Sequence, residues 1–440
     1  MTTDTQRTLA VKDILTRAVK ALDLQFGFTL WDGTEIPPAR GASRLRVSIA
    51  DVGALASLLR SPSLDTFIRL HVDGRINWVN GTIFDLAALR PAGKVGKVGK
   101  VGKALRIIGV WSLLKAAYHI ITAPGSPAFE RGRGDDKALK SGDAATNKKN
   151  IAHHYDVSNA FYRLFLDKEM VYTCAYYAPD FHDDIDKAQF DKLDMICRKL
   201  RLKPGARHLD IGCGWGALIC HAAEHYGVKA MGVTLSVEQA ALAREKIAAR
   251  GLADKVSVEV IDYNDLEAAS FDTISSIGMF EAVGIDHHPT YFKAVHRLLK
   301  PGGLYLHHAI SRPARGTDSQ FRKMRAEYRA LVRYIFPGGE LDHLGMSIGN
   351  LERARFEVHD VEGWRMHYCR TTRLWHDRLL ARRDEAEAEV GAEMTRMWLF
   401  YLGGCSLAFE RGAASIFQTL ASRKNRGVLP VPATRADLYR

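Results

Sequence analysis

Cysteine is scarce in this chain, and the cysteines that occur are not paired in sequence. Among 440 residues there are six cysteines and no CxxC pair, so their spacing predicts neither a structural zinc site nor a disulfide framework. This usage favours a reducing, cytoplasmic compartment. No uncharged apolar run reaches the roughly 18 residues that span a bilayer, and the first residues lack the basic start and apolar stretch of a signal peptide. We therefore expect a protein that is soluble, or bound to a membrane only at its surface.

Acidic residues are fewer than basic ones. The chain has 50 Asp and Glu against 62 Lys and Arg, a formal net charge of +12. Such a charge favours binding to polyanions, and it leaves nucleic acid, an anionic membrane and a phosphate-bearing substrate open. The composition, 47% hydrophobic and 25% charged, is that of a globular protein long enough for two domains.

The pattern along the chain predicts three segments. Residues 1–90 combine a helix over Val11 to Leu24 with short apolar runs and Asp-Gly and Asn-Gly turns, which indicates a small α+β domain. Residues 91–150 are a linker region, and residues 151–440 are expected to form the catalytic domain. The first segment contains no obvious catalytic residues.

The linker region is basic and of low complexity. From Gly93 to Lys103 it repeats Gly-Lys-Val, with lysines at 94, 97, 100 and 103, and this composition predicts a flexible chain. The stretch from Ala104 to Ala123 has helical periodicity with a narrow polar stripe. Such a helix either lies in a lipid interface or packs on the protein's own core, and both interpretations stay open.

Apolar strands alternate with helices in the third segment. The predicted strands are His208 to Ile211, Ala230 to Val233, Val256 to Ile261, Thr273 to Ile277 and Leu304 to Ala309. Strand, helix, strand at this spacing predicts a doubly wound, mostly parallel α/β sheet with its site at the carboxyl ends of the strands.

The first of these strands runs into a glycine loop. Residues 209–216 read Leu-Asp-Ile-Gly-Cys-Gly-Trp-Gly, and Gly212, Gly214 and Gly216 permit a sharp turn and a close approach to a ligand. The amides of the following helix N-terminus would face that ligand. A glycine loop alone is also compatible with a dinucleotide fold.

Two features favour S-adenosylmethionine over a dinucleotide. Asp210 precedes the glycines, where a carboxylate stabilises a cationic ligand, and the second strand ends without the acid that binds a dinucleotide ribose. Hydroxyl recognition would then fall to the residues after that strand, and the residues after the third strand are suited to an adenine ring. The predicted cofactor residues here are Thr234, Leu235, Ser236 and Gln239, followed by Asp262, Tyr263 and Asn264.

Several segments in one order closely resemble the cyclopropane-fatty-acyl-phospholipid synthase family, which includes mycolic acid cyclopropane synthases. The resemblance covers roughly residues 150–425 and rests on residues 153–157, 170–177, 209–216, 232–236, 277–284 and 299–303. It implies a class I S-adenosylmethionine-dependent methyltransferase fold, with Tyr172 and Thr173 also at the cofactor. It further implies methyl transfer to the cis double bond of an acyl chain carried by a membrane phospholipid.

This chemistry also needs a proton acceptor. An alkene needs no base to activate it, but closing a ring on the resulting cation requires loss of a proton from the new methyl group. The resemblance implies that a bound bicarbonate takes this proton. The family's anion-site positions correspond to Cys174, Glu281, His308, Ile310 and Tyr368.

Some of these residues have structural alternatives. Cys174 is also interpretable as a buried apolar cysteine. His307 and His308 are neighbours on a strand and must face opposite sides, so only one enters the site, and His308 matches the family's histidine. Cys405 matches a cysteine sometimes treated as an active-site residue, but it lies on an apolar helical stretch where packing is the expected role.

Other functions remain open at this point. The same cation could lose its proton after a hydride shift, which gives a methylene- or methyl-branched chain. A nucleic-acid methyltransferase would suit the basic charge, but no Asn-Pro-Pro-Tyr-type motif follows the fourth strand. A non-catalytic lipid-binding protein is the third alternative. We expect phospholipid and an anionic membrane surface as partners, no nucleic acid, no metal, and a location at the inner face of the membrane, with a homodimer also compatible.

Overall fold

A computed structural model describes residues 3–41, 43–89, 118, 120, 157–268, 271–323, 339–426 and 429–439. These residues fall into two compact units. The N-terminal unit contains the described residues up to 120 together with 390–407, and the C-terminal unit contains the rest. Residues 390–407, which our division assigns to the catalytic domain, thus group with the N-terminal unit. Within the described part of the chain, no helix is long and apolar enough to cross a membrane.

The N-terminal unit is a small α+β structure, as the turn signals indicate. Its sheet has the strand order β2-β1-β3-β4. Its elements are helices α1 (Thr3–Leu22), α2 (Val52–Arg60), α3 (Leu64–Val72) and α4 (Ile83–Ala88), and strands β1 (Gly27–Thr29), β2 (Glu35–Ile36), β3 (Arg46–Ile49) and β4 (Ile76–Val79). Side-chain caps begin three of the helices: the Asp51 carboxylate accepts from the Ala54 amide, Ser63 from Thr66, and Thr82 forms a capping box with Asp85.

One side chain of the predicted amphipathic stretch belongs to the core of this unit. Ile120 is 4% exposed and packs in the cluster that contains Val11, Val19 and Leu70. Tyr118 is 67% exposed. At Ile120, therefore, the stretch packs on the protein's own core, while its remaining residues and the Gly-Lys-Val repeat lie outside the described residues.

The C-terminal unit is built on a seven-stranded sheet of order β10-β11-β9-β8-β5-β6-β7. Strands β5 to β9 are parallel, and β11 pairs antiparallel with both β9 and β10. The strands are β5 (Arg207–Ile211), β6 (Lys229–Thr234), β7 (Val256–Val260), β8 (Phe271–Ile277), β9 (Leu299–Ser311), β10 (Phe356–Gly363) and β11 (Ser415–Arg423). The predicted doubly wound α/β fold is confirmed, and all five predicted strands are present.

Helices cover both faces of this sheet. They are α5 (Asn159–Arg163), α6 (Ile185–Lys199), α7 (Ala217–Tyr226), α8 (Val237–Ala249), α9 (His288–Leu298), α10 (Asp318–Arg322), α11 (Leu344–Arg353), α12 (Arg365–Ala381) and α13 (Arg383–Val390), followed by α14 (Ala392–Glu410). One apolar cluster packs α6, α7 and α8 on the sheet, and another packs α9 and α11. The strand order reverses beside β5, so the carboxyl ends of β5, β6 and β8 surround the expected ligand crevice.

Candidate active site

The glycine loop has the backbone that its sequence predicts. Gly212, Gly214 and Gly216 all have positive φ, at 82°, 53° and 81°, a conformation that residues with a Cβ rarely adopt. Gly216 is the N-cap of α7 and has no side chain to cap it. The first amides of α7 therefore face the loop rather than a capping oxygen, which suits a ligand there.

The loop is also tightly packed. A Cβ on Gly212 would lie 2.7 Å from the Met279 Cβ, and a Cβ on Gly232 of β6 would lie 2.7 Å from the Cys213 Sγ. The amides of Gly212 and Cys213 both donate to the Val233 carbonyl, at 2.9 and 3.1 Å. The loop is thus held between the ends of β6 and β8, and its glycines are required by geometry.

Asp210 lies at the base of the loop in a buried position. It is 3% exposed, and its Oδ1 accepts a 2.6 Å hydrogen bond from the Ser275 hydroxyl. Burial raises the pKa of Asp210 to about 6, against the lowering effects of Ser275 and Lys192. A cationic ligand beside this carboxylate would favour its ionised form.

The residues after β6 are engaged with one another. The Thr234 hydroxyl donates to the Gln239 Oε1 at 3.0 Å and accepts from the Ser236 amide, while the Ser236 hydroxyl caps α8 at the Gln239 amide. Leu235 is half-buried between them. Thr234 and Ser236 therefore shape the turn that leads into α8.

After β7, the three predicted adenine-site residues form a compact turn. The Asp262 Oδ1 accepts from both the backbone and the side-chain nitrogen of Asn264, at 2.8 and 2.9 Å. The Tyr263 ring packs edge-on against Tyr291 at 5.3 Å between centroids. Burial raises the pKa of Tyr263 to about 12, so this residue offers a neutral aromatic face.

The segment 170–177 is fastened to α6 by two polar side chains. The Gln189 amide donates to the carbonyls of Val171 and Thr173, and the Lys192 ammonium donates to the Thr173 hydroxyl at 2.9 Å. Lys192 is 2% exposed. Burial lowers its pKa to about 8, although the carboxylates of Asp167 and Asp210 oppose this shift.

An aromatic cluster surrounds Tyr172. Its ring lies 5.1 Å from Trp375 and 5.5 Å from Tyr162, and the Tyr162 ring lies 5.1 Å from Trp215 of the glycine loop. The Trp215 indole donates to the Asn159 side chain of α5 at 2.8 Å. Aromatic faces in this arrangement favour a cation or an apolar chain beside the loop.

Cys174 is fully buried beside the backbone of Trp364. Its Sγ lies 3.3 Å from the Ala175 carbonyl and 3.9 Å from the Trp364 carbonyl. Burial raises the pKa of this thiol well above its usual value. Cys174 is thus a neutral thiol, and the groups with which it can form hydrogen bonds are its Sγ–H and its backbone.

Glu281 follows β8 in a short 3₁₀ helix, Phe280–Ala282. Its Oε1 accepts from the Ile310 backbone amide at 2.7 Å. Its Oε2 is buried and has no hydrogen-bond partner among the described residues. Burial raises the pKa of Glu281 to about 7, and the paired arrangement of Glu281 and Ile310 leaves one carboxylate oxygen for a ligand.

His308 and His307 face opposite sides of β9, as predicted. The His307 Nδ1 lies 3.1 Å from the Tyr305 hydroxyl, and its Nε2 lies 3.4 Å from Ser347. The His308 Nδ1 lies 3.0 Å from the Gln418 amide, its ring is 5.4 Å from that of Trp364, and its Nε2 is buried without a partner among the described residues. His307 is part of a buried structural network, whereas His308 lies beside Trp364 with its Nε2 available to a ligand.

Tyr368 lies on the first turns of α12. Its amide donates to the Trp364 carbonyl at 3.0 Å, the same carbonyl that lies beside Cys174. The Tyr368 ring stacks on Phe409 at 4.6 Å and meets Trp375 edge-on at 6.1 Å. Trp364 therefore adjoins Cys174, His308 and Tyr368, a link that the motifs did not indicate.

Cys405 lies on α14, in the part of that helix that groups with the N-terminal unit. It is half-buried, and burial raises the pKa of its thiol to about 12 despite a hydrogen bond with Tyr401. At neutral pH the thiol is protonated, which is unsuitable for a nucleophile. The helical packing role expected from the sequence agrees with this placement.

Sequence reasoning missed four polar residues around this site: the buried Lys192, Lys199 and Gln418 and the half-buried Glu362. Lys192 and Lys199 lie seven residues apart, two turns along α6, and both are at most 2% exposed. Lysines at apolar helix positions are rarely buried unless they are paired. That spacing on an otherwise buried face was the available signal.

Comparison with known proteins decides the family. The family model for mycolic acid cyclopropane synthetase matches residues 143–419, a range that contains every predicted site residue. This chain belongs to that family. It is 42% identical over 304 residues to a probable fatty acid methyltransferase of Pseudomonas putida, covering 68% of this chain and 76% of that protein.

Two further members show the same extent of similarity. The cyclopropane-fatty-acyl-phospholipid synthase of Escherichia coli K12 is 38% identical over 270 residues, 61% of this chain and 66% of that protein. The structure of mycolic acid cyclopropane synthase CmaA1 with SAH and CTAB superposes with a TM-score of 0.59 at 33% identity, covering 62% of this chain and 98% of that one. This chain is therefore an S-adenosylmethionine-dependent methyltransferase, as predicted from its glycine loop.

Proposed function

We propose that this enzyme transfers a methyl group from S-adenosylmethionine to the cis double bond of an unsaturated acyl chain in a membrane phospholipid, and that a bound bicarbonate then removes a proton so that a cyclopropane ring forms. The observation that carries the proposal is that two buried polar atoms at the candidate site, the Glu281 Oε2 and the His308 Nε2, have no hydrogen-bond partner among the described residues. Such atoms are rare in folded proteins and point to a ligand.

The two atoms have the polarity that bicarbonate requires. Bicarbonate carries one O–H donor and anionic oxygens that accept. An ionised Glu281 accepts through its Oε2, while its Oε1 is already held by the Ile310 amide. A neutral His308 with a proton on Nε2 donates. Cys174, with its thiol and nearby backbone, and Tyr368 complete the proposed anion site.

The cofactor site is supported by the glycine loop and its neighbours. S-adenosylmethionine supplies the electrophilic methyl group. We assign its binding to the loop glycines, to Asp210 and Gln239, and to the turn at Tyr263, with Tyr172 and Thr173 on the acceptor side. The aromatic cluster around Tyr172 excludes water and offers ring faces that stabilise a developing positive charge on the acyl chain.

The atoms of the proposed reaction balance. The methyl carbon bonds to one alkene carbon as its bond to sulfur breaks, which leaves a positive charge on the other alkene carbon. One C–H bond of the new methyl group then supplies the electron pair that closes the ring. Its proton passes to bicarbonate, oriented by Glu281 and His308.

A branched product is the second candidate. It is favoured by one observation: the Pseudomonas putida relative, at 42% identity, is named a probable fatty acid methyltransferase. After the same methyl transfer, a hydride shift followed by proton loss elsewhere on the chain would give a methylene branch. The intact anion site supports ring closure, because the proton then comes from the new methyl group.

Mass spectrometry of lipids from cells that express the protein tests the proposal. We expect acyl chains heavier by one CH₂, and ozonolysis should leave the ring intact but cleave a methylene branch. Glu281→Gln should greatly slow product formation, while Glu352→Gln, which alters an exposed carboxylate on α11, should not. Unmodified lipids with the wild-type protein would refute the proposed substrate.

The route to the membrane is also a proposal. The lysines at 94, 97, 100 and 103 would attract an anionic leaflet at the inner face of the membrane, each contributing about 1 kcal/mol. These residues lie outside the described part of the chain. A homodimer would double this attraction.

A further inference from the structure

Three polar side chains form a row across neighbouring strands of the sheet. In the strand register, Glu362 of β10 lies opposite Gln418 of β11, and Gln418 lies opposite His308 of β9. Directly opposite residues on paired strands point to the same face and contact each other. The row therefore leads from the edge of the sheet to the imidazole of the candidate anion site.

A buried lysine covers the row. Lys199, at the end of α6, is 1% exposed, and its Nζ donates to the Gln418 Oε1 at 2.8 Å and to a Glu362 carboxylate oxygen. The same ammonium lies 5.3 Å from the Trp364 ring centroid. The lysine is thus paired with a carboxylate and held on one oxygen of the glutamine.

The direction of each hydrogen bond follows from the chemistry of the groups. An ammonium only donates, so the Gln418 atom that faces Lys199 is the carbonyl oxygen, and the other terminal atom is the NH₂. That NH₂ also only donates, and it lies 3.0 Å from the His308 Nδ1. The Nδ1 must therefore accept, and a neutral His308 carries its proton on Nε2.

We infer that Gln418, oriented by Lys199, is a positioning residue that sets the tautomer of His308, so that the Nε2–H is presented as a donor to the anion. The inference rests on the proposed function for the identity of that anion, but the tautomer itself follows from the row. No other described side chain bonds to either ring nitrogen of His308.

The surroundings keep the imidazole neutral. Burial and the positive charges of Lys192 and Lys199 lower the pKa of His308 well below its ordinary value. A doubly protonated ring would also place an N–H against the Gln418 NH₂, donor against donor. The neutral ring therefore gives the anion one donor, at Nε2, with no competing arrangement.

Exchanging one atom tests the inference. In Gln418→Glu the group facing Nδ1 becomes a carboxylate oxygen, which accepts. His308 should then move its proton to Nδ1 and turn a lone pair on Nε2 toward the anion. In Gln418→Met the side chain neither donates to Nδ1 nor accepts from it, and both tautomers of His308 should be populated. Lys199→Arg should keep the wild-type tautomer, because the guanidinium also only donates.

Two measurements on the full chain read out the change. Nitrogen-15 spectra of histidine-labelled protein, with the His308 signals assigned by their loss in His308→Gln, report which ring nitrogen carries the proton. Product assays then give the bicarbonate and S-adenosylmethionine dependence. For Gln418→Glu we expect the KM for bicarbonate to rise about 10- to 10²-fold, the scale of losing one hydrogen bond to a charged group, while the KM for S-adenosylmethionine changes less than about twofold.

The outcomes separate the inference from the proposed function. A wild-type His308 protonated on Nδ1, or an Nε2–H tautomer retained in Gln418→Glu, would overturn the inference. A flipped tautomer with a raised bicarbonate KM supports it. If the tautomer flips but wild-type turnover never depends on bicarbonate, the assignment of the row stands and the proposed proton acceptor is refuted. Circular dichroism and melting temperature confirm that each variant is folded.

Discussion

The ionisation of Glu281 should set the acid side of the enzyme's pH dependence. Burial raises the pKa of this carboxyl from its ordinary 4.5 to about 7, although hydrogen bonds from the Ile310 amide favour the ionised form. That rise corresponds to roughly 3 kcal/mol of preference for the protonated acid. The proposed role of Glu281 requires the carboxylate, because the protonated acid cannot accept from bicarbonate while also accepting from Ile310.

The expected loss follows from this pKa. A group that titrates near 7 is about nine-tenths ionised at pH 8 and about one-tenth ionised at pH 6. We therefore expect kcat/KM for bicarbonate to fall about tenfold between these values as the pH is lowered. At saturating S-adenosylmethionine this ratio reports groups of the enzyme before bicarbonate binds.

The assay must separate this titration from two others. Bicarbonate itself, rather than total carbonate, is held constant at each pH. S-adenosylmethionine is kept saturating, because burial also raises the pKa of Asp210 to about 6 and its protonation would weaken cofactor binding. Glu281→Gln should lose about 10²-fold or more in rate, and its residual activity should lack the limb near pH 7. A wild-type rate that is level from pH 8 to 6, or a limb that survives in Glu281→Gln, would contradict this role.

Three further predictions concern the glycine loop, the buried network of Tyr305 and His307, and membrane binding. Gly212→Ala should lose S-adenosylmethionine binding in calorimetry, since its Cβ would lie 2.7 Å from Met279. The control Gly205→Ala is also at positive φ but has open space around the Cβ, so it should reduce only stability. Equal cofactor binding by the two variants would refute the crowding argument. Tyr305→Phe removes the 2.8 Å hydrogen bond with Tyr291 and the 3.1 Å hydrogen bond with His307. Denaturant unfolding should therefore show a free energy of unfolding lower by about 1–3 kcal/mol, with kcat unchanged. A large loss of kcat would place His307 in the site. Replacing the lysines at 94, 97, 100 and 103 by glutamine should reduce sedimentation with phosphatidylglycerol vesicles but not phosphatidylcholine vesicles, and unchanged sedimentation would remove the proposed electrostatic attraction.

Local signals were sufficient for the parallel half of the catalytic sheet. In β5 to β9, runs rich in apolar residues and interrupted by a few polar ones are separated by helical periodicity. A buried parallel strand needs no partner-specific sequence to be recognised. β10 and β11 carry no such run: β10 includes Glu357, Asp360 and Glu362, and β11 places Gln418 and Thr419 at its centre. Their polar residues are stabilised by neighbours distant in sequence, so no local pattern predicts them.

The candidate site likewise contains features that the sequence predicts and features that it does not. Glu281 was predictable because an acid at the carboxyl end of a buried strand has few structural roles, and the alternation of β9 separated His308 from His307. The orientation of the His308 ring was not predictable, because it depends on Gln418, which is 110 residues away in sequence. It also depends on Lys199 of α6, which contacts Gln418 across a sequence separation of 219 residues.

The polarity of the row bears on how the proposed anion site would accommodate a cationic intermediate nearby. Lys192 and Lys199 place two positive charges close to His308. The carboxylates of Asp167 and Asp210 offset the first electrostatically, and the second is ion-paired with Glu362. A charged imidazolium would add an unpaired cation to this buried region, where its repulsion of the acyl cation is poorly screened. A neutral ring with a directed N–H holds an anion without that cost. Gln418 accepts from Lys199 and donates to the His308 ring. The position of Lys199 therefore fixes the orientation of Gln418 without adding a charge to the imidazole.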